Sequence, residues 1–245
     1  MKVIGITRVR NESGLIQNTL DHVSNYVDDV HVFDDASQDS TPSICEAHST
    51  VKKVIRNDTW LMSPKDRILA EGYRQQVYET AVRAGADYVY VFDADEFIEP
   101  TDKSGFNIDP EVDAYYFKLF DFYITEGDKD RPYWSRQYMG PEYRGIPMLF
   151  KVSSKLNFTQ RVPRGIGPNI VFGGYVKHYG KAMSVEQWEA DCDYYANVRW
   201  NNGKQQALRQ RWMDRKGKAI HTESDFGRPL ITWEERENTS KIVKI

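Results

Sequence analysis

Apolar residues along the chain fall into two rhythms. Up to about residue 100, short runs such as VIGI and VYVF alternate with segments whose apolar positions recur every three or four residues, the pattern of βαβ units around a mainly parallel sheet. Val3 to Thr7 reads as a first strand. Asn11 stands where a helix cap is expected, ahead of Ile16, Leu20, Val23 and Val27 at spacings of four, three and four. Val30 to Phe33 is a second strand. Thr41-Pro42 marks a helix start, because proline at the first helical position gives up an amide that had no partner there. Val51 to Ile55 is a third strand, Asp66 to Ala84 a long helix closed by Gly85, and Tyr88 to Phe92 a fourth and most hydrophobic strand.

Beyond Pro100 the texture changes. Residues 113–123 and 146–152 read as strands, separated by a polar and aromatic loop from Glu126 to Gly145. Trp134, Tyr138 and Tyr143 favour an ordered binding loop there over disorder. Residues 184–200 predict a helix capped by Ser184, and Lys204 to Arg215 a second one. The simplest parse is one α/β domain with residues 1–100 as its first half, 101–183 as its second, and 184–245 as a helical appendage.

Length and charge narrow the function classes. The 245 residues suffice for a real core and for no more than two modest domains. Thirty-three basic residues against 36 acidic ones give a net charge of −3, so no global basic field recruits nucleic acid or an anionic membrane. No apolar run approaches the roughly 18 to 20 residues that cross a bilayer, and an arginine interrupts the N-terminal run too early for a signal peptide. Two cysteines without a CxxC or Cys/His cluster argue against a disulfide framework or a structural zinc site, so a cytoplasmic setting is expected.

Ligands of open α/β sheets bind outside the carboxyl ends of the strands, and here those ends are acidic. The second strand runs into Asp34-Asp35-Ala36-Ser37-Gln38-Asp39, and the fourth into Asp93-Ala94-Asp95-Glu96. Gathered carboxylates repel one another unless a cation or hydrogen-bond donors offset them, and a divalent metal is a natural occupant. Each acid also has a plainer explanation: Asp34, Asp35 and Asp39 as turn and cap residues, Glu12 as a helix-dipole partner, Asp93-Ala94-Asp95 as a turn.

In combination, the strings VRNE, DDASQDST and DADEFI, in order at successive strand ends, resemble the nucleotide-sugar-binding half of family 2 glycosyltransferases of the GT-A fold, and KHYG at 177–180 is similar to a late motif of some branches. The resemblance implies a Rossmann-like, mainly parallel sheet flanked by helices. It also implies an inverting, metal-dependent transfer of a hexosyl or related group from a nucleotide-sugar, a UDP-sugar for preference. By the same resemblance Asp35 would accept from the base, Thr7, Arg8 and Arg10 would line base and ribose, and Arg67, with Lys65 less firmly, would lie near base or diphosphate. Asp93 would face ribose and metal with Ala94 beside it, and Asp95 would ligate Mn2+ or Mg2+. His178 would be the third protein ligand, with His221 its rival; His22, His31 and His48 read as structural.

An inverting displacement needs a carboxylate to take the acceptor's proton. Residues 160–165, where relatives carry an acid, have none here, so Asp121, Glu126 and Glu142 are the candidates, with Glu142 preferred for its place in the aromatic loop. The acceptor implied is a saccharide or lipid-linked saccharide. The stretch from Arg199 to Lys218, cationic and interleaved with Trp200 and Trp212, keeps a modified nucleic acid as the minority alternative and otherwise reads as a solvated helix face. Two other functions compete: a non-catalytic nucleotide-sugar-binding module, and a nucleotidyltransferase, for which TRVRNESG offers no glycine-rich phosphate loop.

Overall fold

The computed structural model describes residues 1–60, 64–102, 105–197 and 205–241, with the backbone but not the side chains of 64–71 and 205. Its elements run β1 (Val3–Val9), α1 (Ile16–Val23), β2 (Asp29–Asp35), α2 (Thr41–Ala47), β3 (Val51–Asn57), α3 (Pro64–Arg83), β4 (Tyr88–Phe92), β5 (Glu96–Pro100), β6 (Ala114–Phe122), β7 (Tyr138–Lys151), β8 (Ile170–His178), α4 (Val185–Asn197), α5 (Gln205–Arg215), β9 (Ile231–Thr232) and β10 (Ser240–Lys241). The α/β alternation expected of the first hundred residues is there. Contacts divide the chain into two compact units, Met1–Lys118 with Gly145–Val176, and Leu119–Arg144 with Lys177–Ile245.

The strand order of the sheet is β3-β2-β1-β4-β7-β6-β8-β5. Strands β3, β2, β1 and β4 are mutually parallel, and β7 joins β4 antiparallel. Every residue of β4 is buried, as a strand covered on both faces requires. The chain winds outward from β1 to β3 and then returns to place β4 on the other side of β1. That reversal opens a crevice at the carboxyl ends of β1 and β4, where an open sheet binds its ligand. The core beneath it joins Ile4, Ile6, Phe33, Val89 and Val91 to Val77 and Ala81 of α3 and to Phe150 and Phe158.

Several local expectations are corrected. Asn11 does not cap α1, which starts at Ile16. It takes a left-handed conformation (φ 54°), and its amide donates to Ser37 Oγ while its side-chain oxygen accepts the Gln38 amide. The amides of Glu12 and Ser13 go to Thr41 Oγ1 and Asp39 Oδ2. Asn11 to Ser13 are therefore occupied in clasping the loops after β1 and β2 together. The loop expected to run to Gly145 ends earlier, because β7 already begins at Tyr138 and continues through Gly140, Pro141 and Gly145. Within it lies the short 3-10 helix Tyr133–Ser135. Residues 198–200 and Lys204, at the ends of the two expected C-terminal helices, lie outside the described residues.

Strands β5 and β8 carry no clear period in the sequence. Gly173 and Gly174 break the β8 alternation, and Gly174 shows why: at φ 142° it lies so close to β5 that an added Cβ would stand 2.3 Å from the Glu99 carbonyl oxygen and 2.8 Å from Pro100 Cα.

The second unit packs Phe120 and Phe122 of β6 against Trp233, with Phe122 also against Tyr179. Trp188 and Cys192 of α4 meet Ala219 and Trp212. Both cysteines are free and buried, and burial pushes the Cys45 thiol up to about 12. Among the described residues no helix is long and apolar enough to cross a membrane. Gly174→Ala, which forces β5 and β8 apart in a backbone conformation unsuited to a side chain, should cost at least about 2 kcal/mol. An unshifted urea midpoint at unchanged m-value would contradict that close approach.

Candidate functional site

The shelf at the carboxyl ends of β1, β2 and β4 belongs wholly to the first unit. Thr7 is buried there, and its hydroxyl has no hydrogen-bond partner. Next to it Arg8 pairs with Asp35, a carboxylate only 2% exposed. Asp35 Oδ1 also lies 3.3 Å from the Asn57 side-chain nitrogen, itself 3.2 Å from the Tyr73 hydroxyl, and the Tyr73 ring stacks on Phe33 with centroids 4.3 Å apart. Asp34 turns to Arg56 and to the Ser37 amide, leaving its buried Oδ1 without a partner. Arg10 lays its guanidinium over the Trp60 ring at 3.4 Å from the centroid. Of the predicted base-side residues, Thr7, Arg8 and Asp35 are thus brought together, while the side chains of Arg67 and Lys65 lie outside the described residues.

At the end of β4 the acids meet arginines. Asp93 Oδ1 accepts from Arg74 Nη2 of α3 at 2.9 Å, and Asp93 Oδ2 from Arg161 Nη1 at 2.8 Å. Arg161 also grips both oxygens of Glu96, at 2.6 and 2.5 Å. Glu96 is fully buried, and its Oε2 accepts the Asp93 amide at 3.0 Å, closing the turn. The backbone between them is held from below, where Thr19 of α1 donates to the Ala94 carbonyl. Burial pulls the Arg161 pKa down, but the carboxylates of Asp93 and Glu96 more than reverse this and hold it firmly protonated. Burial pushes Glu96 upward against the pull of the same guanidinium.

The remaining candidates lie in the second unit. Asp121 of β6 pairs with Arg144 of β7, with His178 Nδ1 at 2.7 Å and with Lys181 Nζ at 2.8 Å. Burial alone would raise its pKa, yet Lys181, His178 and Arg144 together hold it well below the usual carboxylate range. Since His178 Nδ1 must carry the proton it gives Asp121, it cannot also accept from Arg144, whose Nη2 stands 3.3 Å away. Glu142, on β7 rather than in a loop, places Oε1 at 3.2 Å from Ser224 Oγ and 3.6 Å from Arg228 Nε. His221 packs between the rings of Tyr123 and Trp188, its Nδ1 2.7 Å from the Ala219 carbonyl, and burial lowers its pKa.

The cationic stretch is largely matched by acids where it is described. Arg215 pairs with Asp225 and lies over Trp212, and Lys216 reaches Asp193 at 2.6 Å. Arg199 and Trp200 lie outside the described residues.

With the shelf in place, comparison with known proteins is decisive on ancestry. The profile of the family described as "Glycosyl transferase family 2" matches residues 6–152, more than half of the 245-residue chain. The protein belongs to glycosyl transferase family 2. Uncharacterized proteins of Mycobacterium bovis and Mycobacterium tuberculosis are each 30% identical to it over 99 residues, 40% of this chain and 24% of theirs, so the match spans about a quarter of those relatives. Among solved structures, S. aureus TarS 1-349 is similar at a TM-score of 0.42 and 14% identity over 88% of this chain and 71% of that one. Glucosyl-3-phosphoglycerate synthase from Mycobacterium tuberculosis, in complex with phosphoglyceric acid, is similar at 0.37 and 15% identity over 99% and 88%.

For this family 2 chain the divalent ion implied by the resemblance can be tested against the donor set. Asp93, Asp95 and Glu96 offer hard carboxylate oxygens suited to Mn2+ or Mg2+. The Arg74 and Arg161 guanidinium groups pair with Asp93 and Glu96 without removing the hard oxygen character of the set. The residues fit.

Sequence reasoning missed Glu96, Arg74 and Arg161. Glu96 was in view within DADEFI, whereas Arg161 sits in the segment searched for an acid, 65 positions from Glu96. A depressed carboxylate contributes stability that is present above its unfolded value, near 3.8 for Asp121, and lost as pH falls through its folded value. Asp121→Asn should therefore lower stability by about 3 kcal/mol at neutral pH, since Lys181 and Arg144 lose their buried partner, and should flatten the loss between about pH 5 and pH 2. Parallel urea-stability curves for both proteins across that range would contradict the assignment.

Proposed function

We propose that the chain is a metal-dependent glycosyltransferase that moves a sugar from a nucleotide donor, a UDP-sugar for preference, to a saccharide or lipid-linked saccharide acceptor with inversion. The observation that carries the reading is the set Asp35, Asp93 and Asp95 at the carboxyl ends of β2 and β4, on either side of β1, where the strand order reverses. Family membership over residues 6–152 supports nucleotide-sugar chemistry on that shelf.

Each residue's part follows from its surroundings. Asp35 has spent two acceptor positions on Arg8 and Asn57, and a carboxylate offers about four, so it can still accept the imino hydrogen of a uracil. Thr7 would add its unpartnered hydroxyl to the same strip, with Arg10 beyond it. Asp93, held by Arg74 and Arg161, is oriented for the ribose hydroxyls. Asp95 would hold the ion, as the resemblance of DADEFI implies. A divalent ion, when bound, neutralises the charge developing on the departing diphosphate. The resemblance of KHYG implies His178 as a further protein ligand, and Asp121 holds its Nδ1.

The acceptor's proton must go to a carboxylate. Asp121 is a weak base, because three cationic groups stabilise its ionised form. Glu142 accepts from one hydroxyl and meets Arg228 only at 3.6 Å, which keeps it the better candidate.

Asp95→Asn should reduce Mn2+-dependent hydrolysis of a panel of UDP-sugars at least about a hundredfold while leaving the melting temperature near the wild-type value. UDP with Mn2+ should raise the wild-type melting temperature by mass action. Turnover that persists in the variant, or no stabilisation by any nucleoside diphosphate, would contradict the reading.

A further inference from the structure

Trp134 is 50% exposed, although the aromatic residues it touches, Tyr133 and Tyr179, are both buried. Among the described residues its one ring partner is Tyr133, edge to face at 84° with centroids 5.1 Å apart, so no ring lies flat on the indole. An indole joins one of the largest apolar surfaces of any side chain to a polar N–H, and it suits a partner that is itself part apolar and part wet.

The loop that carries this indole is fixed from within. Buried Arg136 donates from Nε to the Ala182 carbonyl at 2.8 Å, from Nη1 to the Asp128 carbonyl, and from Nη2 to the Met183 carbonyl at 3.1 Å. Asp128, also buried, accepts the Thr125 amide at 2.8 Å on one oxygen and the Gln137 amide at 3.2 Å on the other. The Ser135 and Arg136 amides close the turn around Trp134 by donating to the Pro132 and Tyr133 carbonyls. One buried arginine and one buried aspartate thus tie both ends of the loop to each other and to the segment after Tyr179. A side chain held out on so determined a backbone binds a partner without the entropy loss of ordering its loop.

The rest of the loop is polar and electrically balanced. Glu126, Lys129, Asp130, Arg131 and Gln137 are exposed along it, and residues 126–137 hold three acids against three bases. A balanced loop has no field to draw an anionic lipid or a nucleic-acid backbone. An apolar plate among mixed donors and acceptors matches an uncharged sugar ring, which offers a C–H face and an edge of hydroxyls. We propose that Trp134 is a stacking platform for an uncharged sugar ring of the acceptor, its electron-rich face taking the C–H face of that ring while the loop's polar side chains meet the hydroxyls. The inference rests on the saccharide-acceptor reading above and names the residue of this chain that would hold the acceptor.

The test follows the indole N–H resonance of Trp134 in the isotope-labelled intact chain, identified by its absence from Trp134→Phe, during titration with neutral oligosaccharides of glucose, galactose, mannose and N-acetylglucosamine. At least one of these should move the resonance saturably. Calorimetry should show that Trp134→Ala weakens the same oligosaccharide at least about tenfold, and that Trp134→Phe, which keeps an aromatic face, weakens it less. The rise in melting temperature with UDP and Mn2+ should be the same in all three proteins. A resonance that none of the oligosaccharides moves, or equal affinity in Trp134→Ala, overturns the proposal. So does a resonance that moves only as the protein is concentrated, which assigns the indole to a contact between copies, or only with anionic vesicles, which assigns it to a membrane. In each of these cases a UDP-induced rise leaves the nucleotide-sugar reading standing. No rise with UDP, beside an oligosaccharide bound at Trp134, overturns the nucleotide-sugar reading and the platform's acceptor role with it.

Discussion

A carboxylate with no access to water sits at the end of β4, and the shelf around it depends on how that charge is met. Glu96 is fully buried, and the two-pronged grip of Arg161 together with the Asp93 amide meets its oxygens there. Breaking such a pair by removing one partner costs about 3–5 kcal/mol, because it strands the other charge. The same guanidinium reaches Asp93, which Arg74 of α3 holds from its other oxygen. One ion cluster thus joins the end of β4, the long helix and the segment carrying Arg161, three parts of the chain far apart in sequence. It fixes the backbone of Asp93-Ala94-Asp95 before any ligand arrives, which is what a site that stabilises developing charge requires.

The other strand ends are set by the same economy of donors and acceptors. Asp39 serves as the expected cap, its Oδ1 accepting the Thr41 amide at 3.0 Å, and Ser37, Thr41 and Asp39 also accept the amides of Asn11, Glu12 and Ser13 of the neighbouring loop. The loop after β2 is thereby locked to the loop after β1, leaving Asp35 and Arg8 at a fixed separation. In the second unit Asp121 and Asp225 share Lys181 between them, so buried acids there too are held by cations. An acid held by several cations is well suited to orienting a histidine and poorly suited to taking a proton.

Much of the shelf was legible in the sequence because it rests on local signals. Short apolar runs ending in DDASQD and DADEFI announce parallel strands whose polar ends must meet at one edge, and Thr41-Pro42 and Gly85 mark helix boundaries that the structure keeps. Strand β8 escaped notice because Gly173 and Gly174 interrupt the alternation that would reveal it, and Gly174 is there for the close approach of β5, whose five residues EFIEP carry no clear period. The early part of β7 was hidden in the same way by Gly140, Pro141 and Gly145. Arg161 could not be found by any periodic or local rule. Its partners lie 65 and 68 positions away, and the segment was read for the acid it lacks rather than for the cation it supplies. Asp35, Arg8 and Asp93 stood out by type and place, whereas the pairing of Asp93 with Arg74 and Arg161 became visible only with the fold.

The central claim is that a nucleoside diphosphate with a divalent ion occupies the shelf at the carboxyl ends of β1, β2 and β4. Hydrogen–deuterium exchange of the intact chain with and without UDP and Mn2+ reads that directly, because amides at an occupied shelf open less often. Slower exchange confined to residues 7–12, 34–38 and 93–97 is the result predicted. Unchanged exchange in those three segments, with protection elsewhere or nowhere, would contradict it.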